Sequence, residues 1–110
     1  MSRDQKRWKD WADTLRQEMM TGLVPEITKS VDEITEETGT EKSSSTLHSQ
    51  RFWNACRDGQ GSHGTIVKAG FEVSYKVNGE GKVDAVTFRL NESWRSILQR
   101  VMDRQERRKA

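Results

Sequence analysis

The stretch that decides the fold is 65-TIVKAGFEVSYKVNGEGKVDAVTFRLNESWRSILQRVMDRQERRKA-110. From Val67 to Val77 apolar residues fall on every second position: Val67, Ala69, Phe71, Val73, Tyr75 and Val77. Period two predicts a strand with one buried face. Asn78-Gly79 follows, the dipeptide that best tolerates the positive φ angles of a type I′ hairpin turn. The return strand places Asp84, Val86, Phe88 and Leu90 on one face. A two-residue loop pairs Phe71 with Val86 and Val67 with Leu90. A four-residue loop pairs Phe71 with Phe88 and Val73 with Val86. Both keep the apolar faces together, so pattern alone leaves the register open.

Asn91 then offers an N-cap, with Glu92 in the first turn, where the helix dipole favours a carboxylate. Trp94, Ile97, Leu98, Val101 and Met102 recur at helical spacing and predict a stripe lying across the hairpin. Beyond Met102 the helix turns polar and is expected to leave the core.

Upstream, residues 4–21 read as a helix with Trp8, Trp11, Ala12, Leu15 and Met19 on one face and Gly22 as its stop. Pro25 suits the first turn of a second helix running to about Thr38, with Val24, Ile27, Val31 and Ile34 as its stripe and Gly39 beyond it. Its β-branched residues lower its intrinsic helicity. A short connection would make the pair an αα-hairpin. Residues 39–46 lack periodicity and read as a flexible linker. Leu47 to Asp58 predicts a short helix, with Thr46 as cap, Phe52, Trp53 and Cys56 as anchors and Gly59 as stop. A strand through Arg51–Ala55 is the alternative.

The expected fold is thus α+β in one small domain of 110 residues. It comprises an αα-hairpin over 3–38, a linker over 39–46, a short helix and Gly-rich turn over 47–64, a β-hairpin over 65–91, and an amphipathic C-terminal helix with a basic tail over 92–110, packed on the hairpin. The core is small, with Leu, Ile, Val and Phe totalling 20 residues, but a net charge of +2 is too low for a disordered chain. One cysteine excludes an internal disulfide. Without an apolar leader or a run of membrane-spanning length, a cytoplasmic or nuclear setting away from membranes is expected.

Motifs that could carry chemistry are weak. Gly59-Gln60-Gly61-Ser62-His63-Gly64 matches GxGxxG, but a strand follows it, whereas a dinucleotide fold needs a helix there to receive the pyrophosphate. Cys56, His48 and His63 cannot close a structural zinc site without carboxylates, and their spacing shows no nucleophile–base geometry. Asp32, Glu33, Glu36, Glu37 and Glu41 crowd one segment without the ligand order of a calcium loop. No catalytic residue, metal or cofactor is expected, and the chain is not expected to be an enzyme.

Charge is segregated: residues 24–42 carry net −4 and residues 91–110 net +3. Arg100, Arg104, Arg107, Arg108 and Lys109 form a basic tail suited to phosphate contact. Trp8 and Trp11 sit among Arg3, Lys6, Arg7 and Lys9, a mixture suited to base stacking or to a partner surface. A two-stranded sheet leaves open edges, and the helical hairpin has its own apolar stripe to bury. The expectation is therefore a non-enzymatic interaction or adaptor protein with a protein partner, self-associating as a homodimer or larger homo-oligomer through a sheet edge or the helical hairpin. The alternative is a nucleic-acid-binding accessory protein using the basic C-terminal helix. Two helices, a hairpin and a final helix are similar in element order to the bacterial histone-like DNA-bending proteins. Their arms are strongly basic, whereas this hairpin sets Lys68, Lys76, Lys82 and Arg89 against Glu72, Glu80 and Asp84, so membership does not follow.

Overall fold

The computed structural model describes residues 3–40, 47–59 and 64–109. Helix α1 (Arg3–Thr21) leads into strand β1 (Glu26–Ser30) and helix α2 (Val31–Thr38). Helix α3 (Gln50–Asp58) and a single turn α4 (Thr65–Lys68) precede strands β2 (Phe71–Val77) and β3 (Val83–Leu90), and α5 (Glu92–Lys109) ends the fold. The α+β class, the hairpin and the C-terminal helix are as the sequence predicts.

The segment read as one helix after Pro25 is divided, so the expected αα-hairpin does not form. Residues 26–30 pair antiparallel with β3, Ile27 opposite Phe88 and Ser30 opposite Ala85, giving a three-stranded sheet in the order β1-β3-β2. The local chemistry explains the division. Ile27 and Thr28 are β-branched and suit a pleated surface, and Thr28 shares a hydroxyl hydrogen bond with Thr87 across the strands at 2.8 Å. Pro25, assigned above to a first helical turn, instead offers its carbonyl to the Leu90 amide at 3.0 Å. The helix starts only where Ser30 can cap it. The Ser30 hydroxyl accepts from the Glu33 amide at 3.1 Å while the Glu33 carboxylate accepts from the Ser30 amide at 3.2 Å, a complete capping box.

The hairpin adopts neither expected register. Phe71 pairs with Leu90, Val73 with Phe88 and Tyr75 with Val86, and an irregularity near Val77 brings it opposite Val83. The cause is the use made of Asn78. Its side-chain oxygen accepts from the amides of Glu80 and Lys82, folding a longer loop than a two-residue turn. Gly81 takes the left-handed position at φ 80°. The first strand is also shorter than its alternation suggests. Thr65–Lys68 forms the turn α4, and Gly70, at φ 112°, redirects the chain before Phe71.

Helix α3 forms as expected, with Phe52, Trp53 and Cys56 buried and Gly59 left-handed at its C-cap; Ser49 supplies the cap. Thr46, assigned that role above, lies outside the described residues, as does most of the 39–46 linker. Helix α1 stops near Gly22, but the left-handed residue is Leu23 at φ 58°. Leu23 N–H donates to Met20 O and Val24 N–H to Met19 O, a Schellman closure.

One face of the sheet carries Ile27, Phe71, Val73, Val86, Phe88 and Leu90 into a core shared with Trp11, Ala12, Leu15 and Met19 of α1 and Val31 and Ile34 of α2. Phe88 is its hub, meeting Trp11, Trp53 and Phe71 edge-on with ring centroids 5.3, 6.3 and 5.9 Å away. Such aromatic pairs add about 0.5–1.5 kcal/mol each beyond the area they bury. The other face is polar, with Thr28, Thr87 and Ser74 in one cross-strand row and Glu26, Arg89 and Glu72 in the next. This is the half-wet arrangement open to antiparallel sheets.

Candidate interaction surface

Helix α5 is positioned by its first two turns. Asn91 caps it through a 3.0 Å hydrogen bond from the Trp94 amide, and the Asn91 amide itself donates to the Gly70 carbonyl at 2.8 Å. The Trp94 indole lies over Gly70, and the Arg16 guanidinium sits 4.4 Å from its ring centroid. Arg16 also donates to the Ala69 carbonyl and to Asp13, so one side chain ties α1 to the α4–β2 junction and to α5. Arg95 donates to the Leu90 carbonyl at 2.6 Å and to Glu72 at 3.1 Å. Leu98 is the last residue of α5 to be buried, at 2% exposure.

The expected covering stripe is therefore realised only in part. Ile97 is 40% exposed, Met102 37% exposed and Val101 half-buried. Of the four large apolar side chains that stand exposed among the described residues, two belong to this helix. Arg100, Arg104, Arg107 and Arg108 are all exposed, and none has an acidic partner among the described residues. At 3.6 residues per turn these arginines share one flank of the helix, beside Ile97. Asp103, three residues after Arg100 and four before Arg107, borders this flank and accepts from Gln99 at 3.0 Å, while Glu106 lies further round the helix. Lys109 is the last helical residue, and its side chain is outside those described.

The two N-terminal tryptophans do not join this surface. Trp11 is 9% exposed, packs on Phe88 and donates to Glu37 at 3.4 Å; Trp8 is half-buried against Trp11 and Phe52. Both pack against the core, Trp11 within it and Trp8 at its margin.

Among the described residues the chemistry-bearing side chains form no cluster. Cys56 is fully buried, and burial pushes its thiol up to about 12, so it is no nucleophile at neutral pH. His48 faces the Val83 carbonyl at 3.4 Å. His63 and the interior of the GxGxxG stretch, 60–63, lie outside the described residues, with Gly59 and Gly64 capping α3 and α4 on either side. No three metal-ligating side chains cluster among the described residues. On α2, Glu33 is held by the capping box and Glu37 by Lys29 at 2.7 Å; Asp32 and Glu36 are exposed without a partner in the described structure. Glu41 lies outside it.

Shallow grooves lie among the described residues. One, of about 560 Å³ between α1 and α2, mixes Lys6 and Arg7 with Asp10 and Glu37. Another, of about 520 Å³ on the open sheet face, mixes Arg57 and Arg89 with Glu26 and Glu72. Neither concentrates charge of one sign. Among the described residues no helix is long and apolar enough to cross a membrane. No family model, curated protein or solved structure matches the chain. The distal half of α5 is the one described surface that combines exposed apolar side chains with a row of unpaired charge.

The sequence names these residues but misjudges their setting. Helical spacing identifies the α5 stripe correctly, yet spacing carries no information about whether a facing surface is already occupied.

Proposed function

We propose that this protein is a non-enzymatic interaction module whose contact element is the distal half of α5, and that it self-associates through that helix. The observation that carries the reading is the mismatch between the length of the α5 stripe and the core that receives it. Burial ends at Leu98, while Ile97 remains exposed beside four unpaired arginines and Met102 remains exposed on the opposite flank of the buried stripe. Exposed Met and Arg flanking an aliphatic anchor is the composition of protein–protein contacts. Of the routes expected from sequence, the helical hairpin is absent, and of the two edge strands β1 is only five residues long, follows a proline and carries Lys29, features that blunt edge pairing.

The test uses the full chain carrying Ile97→Ser with Met102→Ser. Melting should stay within a few degrees of wild type while association, followed by light scattering across concentration, is lost. A melting temperature lower by more than about 10 °C would return both residues to the core. Association that survives the pair, or a wild-type chain that is monomeric at every concentration, would equally remove the reading.

The arginine flank supports a second reading, a phosphate-binding arm. Neutralising at most four phosphates would give a log–log salt slope of about −4 on duplex DNA. Binding without salt dependence, or no binding at low salt, removes it.

A further inference from the structure

We infer that the receiving surface for α5 is the acidic helix α2 of a second copy of this chain. The inference rests on the reading of α5 as the contact element and names what that element contacts. Three observations lead to it.

The first is placement. Because β1 and β3 are antiparallel, Glu26 lies beside Arg89 and Ser30 beside Ala85. Helix α5 leaves just past Leu90, at one end of the sheet, and α2 begins just past Ser30, at the other. From Gln99 onward α5 is exposed except at half-buried Val101, so it does not lie back along the sheet towards its own α2. The meeting of the two helices is therefore intermolecular.

The second is charge. Asp32 and Glu36 of α2 and Arg104 and Arg108 of α5 are exposed and have no ion-pair partner among the described residues. Both pairs are spaced i, i+4, about 6 Å along a helix. Antiparallel helices can thus set Asp32 against Arg108 and Glu36 against Arg104 at matching intervals, with their dipoles opposed.

The third is apolar surface. Val77 is 41% exposed, and its pairing with Val83 puts it at the same end of the sheet as α2. The end of the sheet where α2 begins therefore also presents an exposed apolar side chain, and Ile97 stands exposed on the same flank of α5 as Arg104 and Arg108. If each copy lends α5 to the α2 of the other, the two contacts are equivalent and the assembly closes as a two-fold dimer.

Charge reversal tests this directly on the full chain. One variant carries Arg104→Glu and Arg108→Glu, the other Asp32→Lys and Glu36→Lys; all four positions are exposed, and unchanged melting verifies that each variant folds. Either variant alone brings like charges together in both contacts and should be monomeric by sedimentation velocity where wild type is dimeric. An equimolar mixture makes both contacts attractive again and should form a 1:1 heterodimer. Variants that still form homodimers, or a mixture that stays monomeric, overturn the inference. Wild-type association that disappears on nuclease treatment overturns it too, since nucleic acid would then be the bridge. Association lost in the Ile97→Ser, Met102→Ser pair yet indifferent to charge reversal overturns the α2 contact alone and leaves α5 as the contact element.

Discussion

Replacing Gly70 with alanine should be among the most damaging single-atom-group changes in this chain, and the structure supplies the magnitude. Gly70 sits at φ 112°, where an L-residue is strained by about 1–3 kcal/mol. A Cβ built there lies 2.5 Å from the Trp94 indole nitrogen and closer still to Cδ1. That ring cannot simply step aside, because Arg16 stacks on it and Arg16 is itself held by Asp13 and the Ala69 carbonyl. Forcing an extra carbon into such a contact costs about 1–3 kcal/mol. The unfolded chain loses some freedom when alanine replaces glycine, which returns about 0.4–1 kcal/mol. The expected net loss is about 3 kcal/mol, or roughly 12–24 °C in melting temperature for a domain of this size. Gly39 provides the control. It is also at positive φ, 71°, but a Cβ there meets nothing within 4 Å, so Gly39→Ala should cost only the backbone share, about 1 kcal/mol. The assay is equilibrium denaturation followed by circular dichroism for Gly70→Ala, Trp94→Ala and the double variant. Removing the indole removes the clash, so Gly70→Ala should cost about 2 kcal/mol less in the Trp94→Ala background. A single-variant loss below about 0.5 kcal/mol, or strict additivity in the cycle, would refute the assigned contact.

Two further outcomes follow from local chemistry. Ser30→Ala removes the hydroxyl that caps α2 and should destabilise the protein by about 1 kcal/mol, measured by urea denaturation, whereas Ser30→Asp, which restores a capping acceptor, should recover most of it. Cys56, whose thiol burial raises from 9.0 to about 12, should resist a thiol-specific reagent at pH 8 until denaturant is added. The same shift sets a pH dependence. The unfolded thiol ionises above about 9 while the folded one does not, so stability present below that pH is lost as pH rises towards about 12. Comparing denaturation curves of wild type and Cys56→Ala across that window isolates the effect, which should vanish in the variant.

The fold was legible where a local signal and a tertiary outcome agree, and misread where a second local signal competed. Asn91, Gly59 and the Trp11, Leu15, Met19 stripe behave as their spacing predicts. Residues 24–34 present apolar side chains at helical spacing, but Ser30 and Glu33 form a capping box that marks the true helix start. That signal was present in the sequence, and reading it would have released Glu26–Lys29 to become a strand. Alternation through Val67 and Ala69 was misleading because one glycine, Gly70, interrupts it with a backbone angle that only the folded chain discloses. The register was not legible at all, since Asn78 can serve a two-residue turn through its backbone or a longer loop through its side chain, and nothing local chooses. For the candidate surface, the sequence named the arginines of α5, which stand exposed, and placed Trp8 and Trp11 beside them as equals. Burial against Phe52 and Phe88 separates the two groups.

The exposed stripe of α5 has a geometric origin. Three strands spaced about 4.8 Å apart make a face roughly 14 Å wide, and a helix with its side chains is about 10–12 Å across. Helix α1 brings Trp11, Ala12, Leu15 and Met19 to the core, with Trp11 on Phe88 at the centre of the sheet, and α3 brings Phe52 and Trp53. The recruitment of residues 26–30 into the sheet widened the face by one strand, but α2 followed it and buried Val31 and Ile34 there. No room is left on the inner face for a fourth helix of full length, and the outer face, with its rows of threonine, serine and charged side chains, offers nothing apolar to hold one. Helix α5 can therefore dock only by its first two turns, at the end of the sheet, where Gly70 makes space for Trp94. What remains of its stripe is not a failed core helix. It is the surface that the proposed contact with the acidic α2 of a second copy would cover.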